Sequence, residues 1–247
     1  LNRAAVSYFG VRSPDDMLVD AEKVIELARD AGDDFSAALG LWQLSVSLTW
    51  VGRVADAARA AEESLVVSRR LDNSVLAGQA LLVLGFGLRD DDPERALVIF
   101  EEVAELASDL GNHWNSLLAR GNTGYLHATL GQFERAASDL LVALDVADSR
   151  RVSWELSAVF GFASDALAAA GDIQSAAGLH GAATIASPGA VTIMGSLGAS
   201  RAEIEAAVGA DRYQAWFTRG GELDLDGALQ LAREAVERLR AGGSRDV

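Results

Sequence analysis

Three histidines, His113, His127 and His180, offer this 247-residue chain its widest choice of chemistry: proton transfer or metal ligation. None of them has a partner at the i, i+4 spacing, with a nearby carboxylate pair, that sets metal ligands on one helix face. The spacing therefore predicts structural or solvated histidines. There is no cysteine, which removes disulfides, thiolate metal sites and a thiol nucleophile. No serine stands in a G-x-S-x-G turn. The only lysine, Lys23, follows Glu22 inside a helical stretch, so no phosphate-cradling Gly-Lys-Ser/Thr loop exists. Gly85-Phe86-Gly87-Leu88-Arg89-Asp90 opens like a dinucleotide fingerprint but ends in Asp and follows a helical pattern; helix-packing glycines explain it better. Asp90-Asp91-Asp92 has the charge for a cation, yet an acidic cap on a helix beginning at Pro93 accounts for it. The expectation is a non-catalytic chain with no cofactor and no metal.

The elements that would position any site are helices. Four segments repeat at a period of about 40 residues: Gly52-Arg53-Val54-Ala55-Asp56-Ala57-Ala58, Asp91-Asp92-Pro93-Glu94-Arg95-Ala96-Leu97, Gly131-Gln132-Phe133-Glu134-Arg135-Ala136-Ala137 and Gly171-Asp172-Ile173-Gln174-Ser175-Ala176-Ala177. Each reads as the tight turn of a helical hairpin and the start of its second helix. Ala57, Ala96, Ala136 and Ala176 share one place in the repeat, where a methyl side chain lets two helices approach closely.

Periodicity and capping predict helices over about 14–31, 35–51, 55–70, 74–88, 93–110, 114–130, 133–148, 154–170 and 173–186. Ser13 before Pro14, and Asp92 before Pro93, are predicted N-caps. Residues 1–10 read as the end of a preceding helix. Trp114 and Trp154, 40 residues apart, share a phase to which Phe35 lies close, and these aromatics are expected to wedge between successive hairpins. After Ala186 the period fails. Residues 187–198 read as a linker carrying Val191, Ile193, Met194 and Leu197, followed by short helices over about 201–208, 211–218 and 226–240 and a disordered end at Gly242-Gly243-Ser244. The expected organisation is a repeat array over 1–186, then a linker and capping helices over 187–247.

The formal charge is −15 and arginine supplies nearly every cation. So acidic a surface repels phosphate, which argues against direct nucleic-acid or anionic-membrane binding. Arginine almost to the exclusion of lysine, among abundant Ala, Gly, Val and Asp, suggests a GC-rich bacterial source. From Ile173 to Ser200 there is no charged residue, but Gln174, His180, Pro188 and several glycines make a membrane span a poor reading. A cytoplasmic location is expected. A start on Leu1 without Met suggests a piece of a longer polypeptide.

The order of small and large residues resembles the tetratricopeptide repeat. Gly124, Ala136, Leu140 and Ala143, with Phe133 at the entry, follow its small–small–large–small pattern, and Ser164, Ala176, His180, Ala183 and Pro188 follow it again. The tail, Ala176 to Ala183 and then Gly209-Ala210-Asp211-Arg212-Tyr213-Gln214-Ala215-Trp216-Phe217 and Gly221 to Leu229, is similar to the region after the ATPase in large actinobacterial regulators of the LuxR and adenylate-cyclase-like type. Leu179, Gly181, Ala182, Ala183, Gly209, Tyr213, Ala215, Trp216, Gly220, Leu223, Leu225 and Ala228 occupy matching places; Thr184 stands where that family usually has an acid. The resemblance implies a nucleotide-binding switch domain and a DNA-binding helix-turn-helix elsewhere in the parent protein.

The fold expectation is therefore all-α: a TPR-like superhelix of helical hairpins with a non-repeating helical cap at the C-terminus. In such arrays the first helices of the pairs line a concave groove. Counting from the aligned small residues puts Trp42, Thr49, Arg89, Tyr125, Thr129 and Asp165 there, a mixture of aromatic and polar groups suited to binding. The expected function is the sensory and protein-interaction arm of a signal-transduction regulator, with a protein partner or small effector in the groove and neighbouring domains of the same chain as its output. A constitutive assembly scaffold is the alternative. An enzyme using groove carboxylates is weaker, because no acid–base–nucleophile set is spaced for it.

Overall fold

The computed structural model describes residues 13–187 and 197–242. Among them the regular elements are twelve helices and no strand. They are α1 (Pro14–Ala31), α2 (Asp34–Trp50), α3 (Val54–Arg70), α4 (Ser74–Leu88), α5 (Pro93–Asp109), α6 (His113–Thr129), α7 (Phe133–Arg150), α8 (Ser153–Ala170), α9 (Ile173–Ala186), α10 (Leu197–Val208), α11 (Ala210–Gly221) and α12 (Leu225–Arg240). Residues 1–10, linker residues Val191, Ile193 and Met194, and Gly243-Ser244 lie outside the described residues. The first tail helix starts at Leu197, four residues before the expected Arg201.

Local chemistry sets the boundaries. Ser13 Oγ accepts from the Asp16 amide and Asp92 Oδ1 from the Arg95 amide, each at 3.2 Å, so both predicted caps form. Asp33, Asn73, Asn112 and Asp172 do the same for α2, α4, α6 and α9. At the helix ends Gly131 (φ 72°) and Gly171 (φ 88°) take the left-handed conformation that stops a helix and turns the chain back.

The chain divides into two compact units, Leu1–Asn115 and Ser116–Val247. In the first, α1 packs on α2, α2 on α3, α3 on α4 and α4 on α5, with α2 also touching α4. This is consecutive packing of neighbouring helices, as a helical repeat requires. In the second, α7, α8 and α9 continue the pattern, and the three tail helices then fold back. The last of these, α12, lies on α7, α8 and α9, while α11 packs on α9, and α10 touches α8, α9 and α11. As a result α8 is buried without interruption from Glu155 to Leu167, the polar Glu155, Ser157, Ser164 and Asp165 included.

Small residues decide how close the helices come. The four aligned alanines, Ala57, Ala96, Ala136 and Ala176, are all buried. On the first helices Gly124 and Ser164 stand opposite Ala136 and Ala176, and Gly85 stands opposite Phe100, one turn past Ala96. A Cβ on Gly124 would lie 3.3 Å from the Ala136 carbonyl oxygen, and Ser164 Oγ donates to the Ala176 carbonyl at 2.8 Å. The approach is tighter still between α9 and α11. There a Cβ on Gly220 would meet the Gly178 carbonyl oxygen at 1.8 Å, and one on Gly181 the Phe217 oxygen at 1.9 Å.

Trp114 and Trp154 are half-buried, but Phe35 is 46% exposed. All three stand in the first turn of their helices, and in α2 the buried stretch begins only at Ala37, beyond Phe35.

Gly220→Ala is expected to cost about 1–3 kcal/mol or more, because two backbones must separate to admit one methyl. Gly78→Ala is the control. Its nearest neighbour would be Asn115 Nδ2 at an ordinary 3.6 Å, so helix propensity should make it neutral or stabilising by up to about 1 kcal/mol. Urea unfolding of the two variants measures the contrast, and equal effects would refute the close-approach account.

Candidate functional site

The expected binding residues fall on first helices in both units. In the first unit Trp42 is half-buried and packs against Leu48, Ala57, Ala60, Ala61 and Val83. Thr49, also half-buried, turns its hydroxyl back to the Ser45 carbonyl at 2.9 Å. Arg89, at the C-cap of α4, is largely covered and pairs with Asp90 at 3.5 Å. Thr49 and Arg89 hold one repeat position on α2 and α4, and these helices touch. In the second unit Tyr125 on α6 and Asp165 on α8 share another repeat position. Tyr125 is half-buried, whereas Asp165 is 2% exposed because α8 is enclosed by α7, α9, α10 and α12. Thr129 stands one residue past the Arg89 position, is exposed, and bonds the Leu126 carbonyl at 2.8 Å. Trp42 and Tyr125 thus keep accessible aromatic surface, while Asp165 belongs to a closed interior.

Two histidine clusters are better built than sequence spacing suggests. On α6 and α7, Asp139 accepts from Arg120 at 2.8 Å and faces His127 Nδ1 at 3.1 Å. Such a carboxylate orients an imidazole as it would a general base. However, His127 Nε2 is buried and meets no hydrogen-bond partner among the described residues. The cluster ties α6 to α7. No His/Asp/Glu group of three or more among the described residues is arranged to hold a metal ion.

The second cluster joins the repeat helices to the tail. His180 Nδ1 on α9 lies 2.7 Å from the Tyr213 hydroxyl on α11, both side chains buried, with the Phe217 ring edge-on to His180. Burial, and then the positive charge of Arg201, lower the His180 pKa to about 4. Burial pushes the Tyr213 hydroxyl up to about 12, opposed by Arg201, whose guanidinium lies over the ring. Both groups are therefore neutral at pH 7 and share an ordinary hydrogen bond. In the sequence Tyr213 belongs to the tail pattern and His180 only to the tetratricopeptide-like order of small and large residues, and nothing pairs them, since residues 33 apart carry no spacing rule.

The neutral imidazole makes stability depend on pH. Unfolded, His180 takes up a proton near pH 6.5; folded, only near 4. Between those values unfolding takes up a proton, so its contribution is intact above 6.5 and falls as the pH drops. His180→Gln removes the titration and retains a partner for Tyr213. Wild type should lose about 1–2 kcal/mol more than this variant between pH 7 and pH 5 in urea unfolding. Parallel pH profiles would eliminate His180 as the responsible group.

Among the described residues no helix is long and apolar enough to cross a membrane. No protein-family model matches the chain, and no curated protein is similar enough to be matched.

Proposed function

We propose that this chain is a non-catalytic interaction arm, built from tetratricopeptide-like helical pairs, of a bacterial signal-transduction ATPase or LuxR-type transcriptional regulator. The observation that carries the reading is the repeated helical pair itself, with partly exposed Trp42 and Tyr125 on first helices beside polar neighbours. Repeats of this kind expend their apolar residues on stacking and present surface rather than a catalytic cleft. The regulator assignment rests on the tail resemblance. Its glycines have a physical reason in this fold, since Gly181 and Gly220 are where α9 and α11 touch backbone to backbone. A protein partner or small effector on the first-helix surface would act on neighbouring domains only by binding one arrangement of the helices more tightly than another.

The test is thermal melting of the full chain against metabolites and candidate protein partners. A ligand at 100 times its Kd stabilises by about 2.7 kcal/mol, which for a chain of this size raises Tm by about 5–10 °C. Trp42→Ala with Tyr125→Ala should abolish the shift while leaving the double variant folded by circular dichroism. A Tm that responds only to the protein's own concentration would replace the sensor with an assembly scaffold.

A further inference from the structure

The first three described helices return in the same register in the second unit. The helices α1, α2 and α3 begin at Pro14, Asp34 and Val54; α7, α8 and α9 begin at Phe133, Ser153 and Ile173, each 119 residues later. In the second unit this three-helix surface is covered by α12. That helix buries Ala228, Leu229, Ala232, Ala235, Val236 and Leu239. It is clamped by arginines, Arg233 to Asp145 (2.6 Å) and Asp148 (3.1 Å), Arg238 to Asp172 (3.2 Å) and Ser175 (2.8 Å).

In the first unit the corresponding surface is a groove of about 720 Å³, floored by the largely buried Ile25, Leu41, Leu48 and Ala60 and the half-buried Leu44. The four positions that anchor α12 correspond, 119 residues earlier, to Glu26, Arg29, Arg53 and Asp56. All four line this groove. The groove is thus the counterpart of a seat whose occupant is known. We infer that it docks an amphipathic helix from a partner protein, with an Ala/Leu inward face and arginines spaced like Arg233 and Arg238.

The charges fit a basic helix. Glu22, Glu26, Asp30, Asp56 and Glu63 outnumber Arg29, Arg53 and Arg59 along the groove, in a chain of net charge −15. Glu26 retains the carboxylate that α12 finds at Asp145 and Asp56 gains one at Ser175, whereas Arg29 and Arg53 replace Asp148 and Asp172, and Asp56 is already paired with Arg53 and Arg59. One ion pair, Arg29 to Glu63 at 2.5 Å, crosses from α1 to α3; both side chains are more than half exposed, so it is a weak barrier. The counterpart positions in the second unit are Asp148 and Ala182, which cannot make that bridge. An incoming arginine would take Glu63 from Arg29.

The probe is a fluorescein-labelled peptide of residues 224–241, titrated with the full chain by fluorescence anisotropy. Saturable binding is expected, weakened at least tenfold by Glu26→Arg with Asp56→Arg and by Arg233→Ala with Arg238→Ala in the peptide. Leu44→Asp should abolish it, and the exposed Glu26→Arg change keeps the test valid if Leu44→Asp fails to fold. Asp145→Asn with Asp148→Asn loosens only the resident α12 and should leave the affinity unchanged. Tyr125→Ala should also leave it unchanged, which separates this groove from the first-helix surface of the second unit. The inference is overturned by no binding, by binding indifferent to the groove substitutions, by binding that rises when the resident α12 is loosened, or by a chain dimer that competes with the probe.

Discussion

The spacing between paired helices is the constraint on which the rest of this structure depends, and it is set by side chains of two atoms or fewer. Ser45, Gly85, Gly124 and Ser164 hold equivalent places on the first helices and are buried, as are Ala57, Ala96, Ala136 and Ala176; Gly124 and Ser164 meet Ala136 and Ala176 directly. Where the first-helix residue is serine, its hydroxyl must be satisfied inside the crossing. Ser164 does so by donating to the partner helix at the Ala176 carbonyl, and Ser45 by donating back to its own helix at Trp42. A neighbouring crossing shows the same economy with the roles exchanged. In the first unit Ser64 on the second helix donates to the Ala38 carbonyl on the first; 119 residues later Ser157 on the first helix donates to the Ala183 carbonyl on the second. The hydrogen bond has been kept while donor and acceptor traded helices. The helix–helix distance at this crossing accommodates a hydroxyl from either side.

The tail takes the same device to its limit. Between α9 and α11 the contact is main chain on main chain, at Gly178, Gly181 and Gly220. A crossing that close has no side chains of its own to fix the rotation of one helix against the other. His180, Tyr213 and Phe217 supply that fixation immediately alongside, through one 2.7 Å hydrogen bond and ring contacts. The pair works only while the imidazole is neutral, because an imidazolium would carry an unpaired charge into an apolar crossing beside Arg201.

Much of the fold was legible because its signals are local. Three helices, Pro14–Ala31, Ser74–Leu88 and Ile173–Ala186, have the boundaries their caps and periodicity predict, and most others differ by a residue or two. Local reading failed where cover comes from sequence-distant elements. Phe35 lies close to the phase of Trp114 and Trp154 yet is exposed. Asp165 has the phase of a surface residue but lies inside, because the non-periodic tail covers α8. Thr129 shows the cost of a shortened turn. The interval between first helices is 40 residues from α2 to α4 but 39 from α4 to α6, so a constant count from Arg89 overshoots by one.

The charge-free stretch from Ile173 onward has the same origin as these failures. Helix α3 carries Arg59, Glu62 and Glu63 on its outer side, and the equivalent residues of α9 are Gly178, Gly181 and Ala182. The exchange cannot be a membrane adaptation within α9, since that helix is 14 residues long and packs against α8 and α11. It follows from the arrival of α11, which desolvates any side chain at those positions, so that a charge there would have to be paired or expelled. The two units therefore share one frame and differ in what they allow to lie upon it. In the second, small residues admit a helix of the chain itself. In the first, the charges of Arg59, Glu62 and Glu63 keep the frame hydrated, and any helix that settles there must bring charges of its own.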